Sequence, residues 1–166
     1  NNSPAKNAQP QTMPGGDDFY QISVQTVRQI KSKDDVDTLI DVFLENLPPE
    51  KYQLREAYEF AMTLPETFYG SGSYGRWIKV GFALRNTSIY LLIAWVAFSA
   101  QSATFDYTKD IAASCDFWMK FTHTPQSGVT DLSLRYWSKH NAPEAFQNVH
   151  QKTVDFFLDQ TIERLS

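Results

Sequence analysis

Apolar residues return at helical intervals in one segment of this chain after another. In "KDDVDTLIDVFLENL", Val36, Leu39, Ile40, Phe43, Leu44 and Leu47 fall at i, i+3, i+4, i+7, i+8 and i+11, the one-sided stripe of an amphipathic helix. Pro48 and Pro49 stop it, because the residue before a proline is pushed out of the α region. A second helix is expected over about 50–62, presenting Tyr52, Tyr58 and Phe60 among charges, and "LPETFYGSGSYG" then reads as a glycine-punctuated, flexible loop. In 74–86, Trp77, Val80, Gly81 and Leu84 share one face, where Gly81 lets another helix come close. Arg76, Lys79 and Ala83 repeat on the opposite side, so the two basic groups are expected to be exposed together.

The run "TSIYLLIAWVAFSAQS" is apolar nearly all round and should be the centre of the bundle. Its most apolar part, residues 89–98, is about half of the roughly 20 residues needed to cross a bilayer, so it reads as a core helix and no membrane partner is expected. Upstream, Phe19, Ile22, Val27 and Ile30 are spaced loosely for a helix, with a short strand as the alternative because of the β-branched residues. Asp106 is a candidate N-cap for "YTKDIAASCDFWMKF", whose Ile111, Cys115, Trp118 and Met119 would point inward. After the turn "THTPQSG", Thr130 can cap "DLSLRYWSKH", with Asp131 at the positive helix end and one turn from Arg135. "NAPE" reads as a capping box, Asn141 with Glu144, opening the last helix. The pattern as a whole predicts an all-α, compact helical bundle of six to eight helices with short connections. Residues 1–16, "NNSPAKNAQPQTMPGG", have almost nothing to bury and are expected to form a disordered N-terminal tail or linker, with order beginning near Asp17.

At 166 residues, 42% of them hydrophobic, the chain can bury one good core but hardly two. Cys115 has no second cysteine to pair with, which points to an intracellular setting, and no Cys/His set has zinc spacing, so no metal is expected. No signal peptide is read from the opening residues, which look like those of an excised or processed piece. The net charge of -4 argues against nucleic acid, but its distribution does not. Residues 70–140 carry seven Lys/Arg against four Asp/Glu, between acidic flanks.

Catalytic patterns are incomplete. Asp35 and Asp37 form a D-x-D pair of the kind that holds two metal ions in polymerase-like primases, yet no apolar strand presents them, and acidic residues at a helix start are the simpler explanation. No glycine is followed by lysine, so a phosphate-binding loop is lacking, and "GSGSYG" follows no strand. His123, His140 and His150 have no nucleophile elbow or activated cysteine near them in the sequence and read as surface residues. No catalytic residue and no cofactor is therefore assigned. What remains is basic and aromatic: Arg76 and Lys79 on one helix face, Arg135 and Lys139 one turn apart, and Tyr74, Tyr136 and Trp137 nearby. Such residues neutralise phosphates and stack on unpaired bases, although a solvated face and a packed core explain them as well.

Four segments in order, "SYGRWIKVGFALRNTS", "AWVAFSAQSATFDY", "DFWMKF" and "GVTDLSLRYWSKHNAPEAFQNV", resemble the helical primase C-terminal domain of the second type found in primase-helicases of nucleocytoplasmic large DNA viruses. The resemblance covers about residues 36–150 and rests on Trp77, Gly81, Leu84, Trp95, Phe98, Ser99, Trp118, Tyr136, Trp137 and Lys139. "LPPEKY" matches the family's opening, whereas residues 53–73 look longer than in its shortest members. The resemblance implies a non-catalytic module between an archaeo-eukaryotic primase domain and a superfamily-three helicase domain of one polypeptide, helping to hold single-stranded template DNA or nucleotide during primer initiation. It divides the chain into a linker (1–16), the helical domain (17–150) and a connecting helix toward the helicase (151–166). The parent would be an ATP-dependent helicase with primase activity, a hexamer being compatible with it, acting in the host cytoplasm or at a viral replication site. Charge then leaves Arg76, Lys79, Arg85, Lys120, Arg135 and Lys139 as nucleic-acid contacts. A spacer that positions primase and helicase without touching DNA is the alternative.

Overall fold

A short helix, α1 (Val24–Arg28), opens the fold: Ser23 accepts the Thr26 backbone N–H, and the turn carries Val27 into the core. The computed structural model describes residues 19–121 and 128–166, and the linker expected over 1–16, the start near Asp17, His123 and most of the turn after it lie outside the described residues. The helical alternative thus holds only over Val24–Arg28; residues 19–23 form a turn and an irregular lead-in, where Tyr20 rather than Phe19 is buried.

Helix α2 (Lys33–Glu45) begins at Ser32, whose side chain accepts the Asp35 N–H, while Asp35 Oδ2 accepts the Lys31 N–H at 2.8 Å. Asp37 is tied to Lys33 at 2.7 Å. Asp35 of the D-x-D pair therefore satisfies a helix start, where the dipole favours it, and Asp37 an ion pair on the helix surface. Val36, Ile40 and Phe43 are buried, and Pro48–Pro49 turn the chain through a 3-10 turn into α3 (Tyr52–Thr63).

A loop with a second 3-10 turn and Gly72 at φ 79° leads into α4 (Tyr74–Thr87). Val80, Gly81, Ala83 and Leu84 are buried, so Ala83 departs from the exposed side that it was expected to share with Arg76 and Lys79. At α4's approach to its neighbours the buried arc is wider than one row, and a small residue fits there. Helix α5 (Leu92–Ser99) has all eight residues buried and packs on α1, α2, α3, α4 and α6, which makes it the axis of the bundle. Each large apolar side chain so buried contributes roughly 1.5–3 kcal/mol.

Asp106 does not cap α6 (Asp110–Lys120). Its carboxylate accepts the Thr108 N–H and its own N–H goes to Asp110 Oδ2, both at 2.8 Å, closing the turn before the helix instead. Ile111, Cys115 and Trp118 face inward as expected, whereas Met119 is on the exposed side. Thr130 caps α7 (Asp131–Asn141) in a reciprocal box with Ser133. Asn141 and Glu144 form no box: Asn141 ends α7 with its amide on the Trp137 carbonyl, and α8 (Pro143–Leu165) starts at a proline. Pro at the first position needs no N–H partner, which removes much of the need for a side-chain cap.

Helix α8 runs unbroken from the bundle, where Phe146 and Val149 are buried, into residues 151–166. There Phe157, Leu158, Ile162 and Leu165 stand exposed. Among the described residues the architecture is eight α-helices and no strand, and no helix is long and apolar enough to cross a membrane.

Candidate nucleic-acid interface

Helices α4 and α7 lie against each other, and Asn86 at the end of α4 donates to the Val129 carbonyl at 2.9 Å, which sets where α7 begins. Between them runs a groove of about 500 Å³ lined by Lys79, Val129, Leu132, Ser133, Tyr136 and Trp137. Lys79 is exposed. Tyr136 is 61% exposed, with His140 against it at 4.1 Å. Trp137 is half-buried, its ring 6.2 Å from Phe68. One wall thus offers a cation and the other two aromatic faces.

The six basic residues singled out from the sequence do not form one patch. Arg76 is exposed one turn before Lys79 and donates from Nε to the Thr67 carbonyl at 2.8 Å, which leaves the end of its guanidinium toward solvent. Lys139 is exposed on α7, with Nζ 6.0 Å from the Phe146 ring. Lys120 stands in the last turn of α6, a helix that packs on α1 and α5 rather than lining the groove.

Arg135 turns inward. Its guanidinium lies 5.6 Å from the Phe60 ring and 5.4 Å from Phe146, 3.7 Å from Glu56 and 3.2 Å from His150 Nδ1. It does not pair with Asp131, which accepts from Gln53 instead. The same layer continues with Lys152 on Glu59 at 3.1 Å and Thr153 donating to Glu56 at 2.7 Å, joining α3, α7 and α8.

Arg85 is half-buried over the Trp118 ring at 5.9 Å, and its Nε has no partner among the described residues. Burial pulls this guanidinium below the ordinary arginine value, since a charge loses solvation there.

On the other flank of α4 lies a second concavity that no sequence pattern marks. A cleft of about 310 Å³ lies between the loop before α4 and the start of α6. Trp77 and Tyr74 come from α4, Tyr69 and Gly72 from the loop, Phe105 and Asp110 from the turn into α6. Phe105 and Asp110 lie in no pattern that spacing alone would mark, because they reach the cleft from a segment about 30 residues away. The "GSGSYG" loop, read as mere punctuation, supplies one wall.

What these surfaces can do is bind. Among the described residues no group of three or more His, Cys, Asp or Glu gathers as metal ligands would. Cys115 is buried, and burial raises its thiol above the ordinary value, the opposite of what an activated nucleophile needs.

No curated protein and no solved structure matches the chain. The family model of Primase C terminal 2 (PriCT-2) matches residues 63–138. That span is narrower than the 36–150 of the sequence resemblance. It runs from the last residue of α3 through α4, α5 and α6 into α7, and contains Trp77, Gly81, Leu84, Trp95, Trp118, Tyr136 and Trp137. Both walls of the groove and the central helix fall inside it, and the match supports a primase C-terminal domain over residues 63–138.

Proposed function

We propose that this chain is the non-catalytic helical domain of a DNA primase-helicase of the large-DNA-virus type, and that it holds single-stranded template DNA during primer initiation. The observation that carries the reading is the groove in which Lys79 of α4 faces Tyr136 and Trp137 of α7. A phosphodiester strand laid along α4 meets Lys79 and the solvent-facing end of Arg76, while an unpaired base lies on Tyr136. Base–aromatic stacking of this kind is worth about 1–3 kcal/mol per base. The net charge of -4 does not oppose it, because phosphate attraction is set by the charges within about 10 Å at ordinary salt.

In this reading residues 1–16 are a linker from a primase domain, 17–150 form the binding module, and 151–166 lead toward a helicase that supplies ATP-dependent unwinding. Primase and helicase belong to the same polypeptide, and the setting is intracellular. The second half of α8 supports a second role beside the first. Exposed Phe157, Leu158, Ile162 and Leu165 form the kind of apolar surface by which a module that positions its neighbours would dock.

Fluorescence anisotropy of a labelled single strand with the 166-residue chain across a salt series tests DNA contact. Affinity should fall linearly on a log–log plot, and Arg76→Ala with Lys79→Ala should reduce the slope by about 1.4, near 0.7 per phosphate contact. Tyr136→Ala should weaken binding about tenfold with little change of slope. Absence of binding at low salt would remove the template role and leave the docking role.

A further inference from the structure

The cleft beside α4 has walls of two kinds. Tyr69, Tyr74, Trp77 and Phe105 supply aromatic surface, Ser99 a hydroxyl and Asp110 a carboxylate, while none of its described lining residues is a lysine or arginine. Its volume of about 310 Å³ lies at the lower end of the roughly 300–1,000 Å³ typical of small-molecule sites.

The walls are held in place. Trp77 stacks on the fully buried Trp95 with ring centroids 4.8 Å apart and donates its indole N–H to Ser99 Oγ at 2.7 Å, so its exposed face is fixed toward the cleft. Tyr69 meets Phe98 edge-on at 5.6 Å, and Phe105 meets Tyr107 at 5.0 Å. Asp110 Oδ2 accepts the Asp106 N–H, which fixes the carboxylate at the end of the turn. Tyr74, 62% exposed, stands at the rim.

Ring faces select a planar ligand, and a carboxylate without a nearby cation in the wall selects one that donates hydrogen bonds and carries no negative charge. We propose that this cleft takes a single unstacked nucleobase bearing an amino group, guanine above all, whose phosphates remain outside along α4. Guanine presents N1–H and its exocyclic amino group side by side, the arrangement a carboxylate accepts. Adenine and cytosine offer the amino group beside an acceptor. Thymine places O2 and O4 on either side of its only N–H, and these oxygens face the carboxylate unfavourably. A phenyl ring would fill the space but offer no donor to the acceptor capacity that Asp110 and Ser99 keep beyond their bonds to the Asp106 N–H and the Trp77 indole.

The base is delivered to the cleft by the strand held in the α4–α7 groove, and to that extent the proposal rests on the template-binding reading. Two measurements on the 166-residue chain separate them. In the first, binding of a dT 15-mer is compared with that of the same strand carrying one central dG. The dG strand should bind roughly tenfold tighter, and Asp110→Asn, which keeps an acceptor for the Asp106 N–H, should bring the two strands within about twofold. In the second, guanosine alone is titrated while the Trp77 indole N–H is followed by NMR, assigned with Trp77→Phe, beside N-acetyl-phenylalaninamide as comparison. Saturable movement with guanosine and none with the phenyl compound is expected. If both strands bind equally, the cleft proposal fails while the groove stands. If neither strand binds, the groove reading fails, and an unmoved Trp77 resonance under guanosine then overturns the cleft as well. Equal movement with the phenyl compound overturns it in favour of an aromatic side chain of a protein partner.

Discussion

The Cβ that Gly81 lacks would sit 2.8 Å from Cε2 and 2.9 Å from Cζ2 of Trp95. The indole of α5's central residue therefore lies directly on the backbone of α4. Trp95 is fully buried, and Trp77, one turn before Gly81 on α4, stacks on it, so the absence of a side chain at Gly81 helps set the position of the ring that walls the cleft. Glycine weakens a helix interior in general, but here it allows α5 to approach α4 closely.

Alanine at that position is caught between two effects of opposite sign. Gly81→Ala gains about 0.8–1 kcal/mol of helix propensity but drives a methyl into a buried ring, and such overpacking costs about 1–3 kcal/mol. The three contacts at 2.8–3.0 Å put the cost in the upper part of that range, so a net loss of about 1–2 kcal/mol is expected in urea unfolding, with a shift of the Trp77 indole resonance. Gly75, whose added Cβ would meet nothing within 4 Å, is the control, and Gly75→Ala should raise stability by about 0.4–1 kcal/mol. A Gly81→Ala protein as stable as its parent would show that Trp95 can move.

The helices were legible because burial and periodicity agree: Val36, Ile40 and Phe43 in α2, and the whole of α5, are buried where their spacing put them. The Gly81 approach was legible for the same reason. Caps were less so, because a side chain can answer a backbone N–H several ways. Asp106 closes a turn instead of a helix, and Asn141 ends one helix instead of starting the next. The groove was partly visible, since Lys79, Tyr136 and Trp137 stand out by type. That Arg135 and Arg85 turn toward aromatic rings was not, because charge alone says nothing of the neighbours that long-range packing supplies. The cleft was invisible for the same reason.

Capping energies follow from these observed partners. Thr130→Ala removes the Oγ1 acceptor of the box that starts α7, while the residue-130 N–H still donates to Ser133 Oγ. A loss of about 1 kcal/mol is expected in chemical unfolding. Asn141→Ala should change stability by less than about 0.5 kcal/mol, because its amide bonds a carbonyl at a C-terminus open to water. Reversed magnitudes would mean that α8 needs the box its sequence suggests.

Arg135 and Lys79 should separate stability from binding. Arg135→Ala loses the contacts with Phe60 and Phe146 and the ion pair to Glu56, together about 1–2 kcal/mol after allowance for its partial exposure. Its effect on the salt dependence of single-strand binding should be small. Lys79→Ala should do the reverse, leaving the unfolding midpoint within error and lowering the salt slope by about 0.7. A slope change for Arg135→Ala as large as for Lys79→Ala would place phosphate at α3 and α8 rather than in the groove.

Alkaline pH should find the buried thiol. Burial holds the Cys115 pKa above the ordinary 9.0, against a smaller opposing pull from Arg28. The folded state therefore keeps a proton that the unfolded chain gives up near pH 9, and unfolding releases it. Stability is unaffected below about pH 9 and falls above it, by at most about 1.4 kcal/mol per pH unit, until the folded thiol also titrates. Tyr58, raised from 10.0 by its own burial, adds a similar loss from about pH 10 upward. Urea unfolding at pH 7, 9 and 10 should show this decline, and Cys115→Ala, less stable at every pH for the volume it removes, should show a shallower one between 9 and 10. Alkylation by iodoacetamide at pH 8 should be more than about a hundredfold slower in the folded protein than in urea, because the thiol is reached only on opening. Equal alkylation rates, or a variant whose pH profile runs parallel to that of the parent, would place Cys115 at the surface and remove its proton from the stability balance.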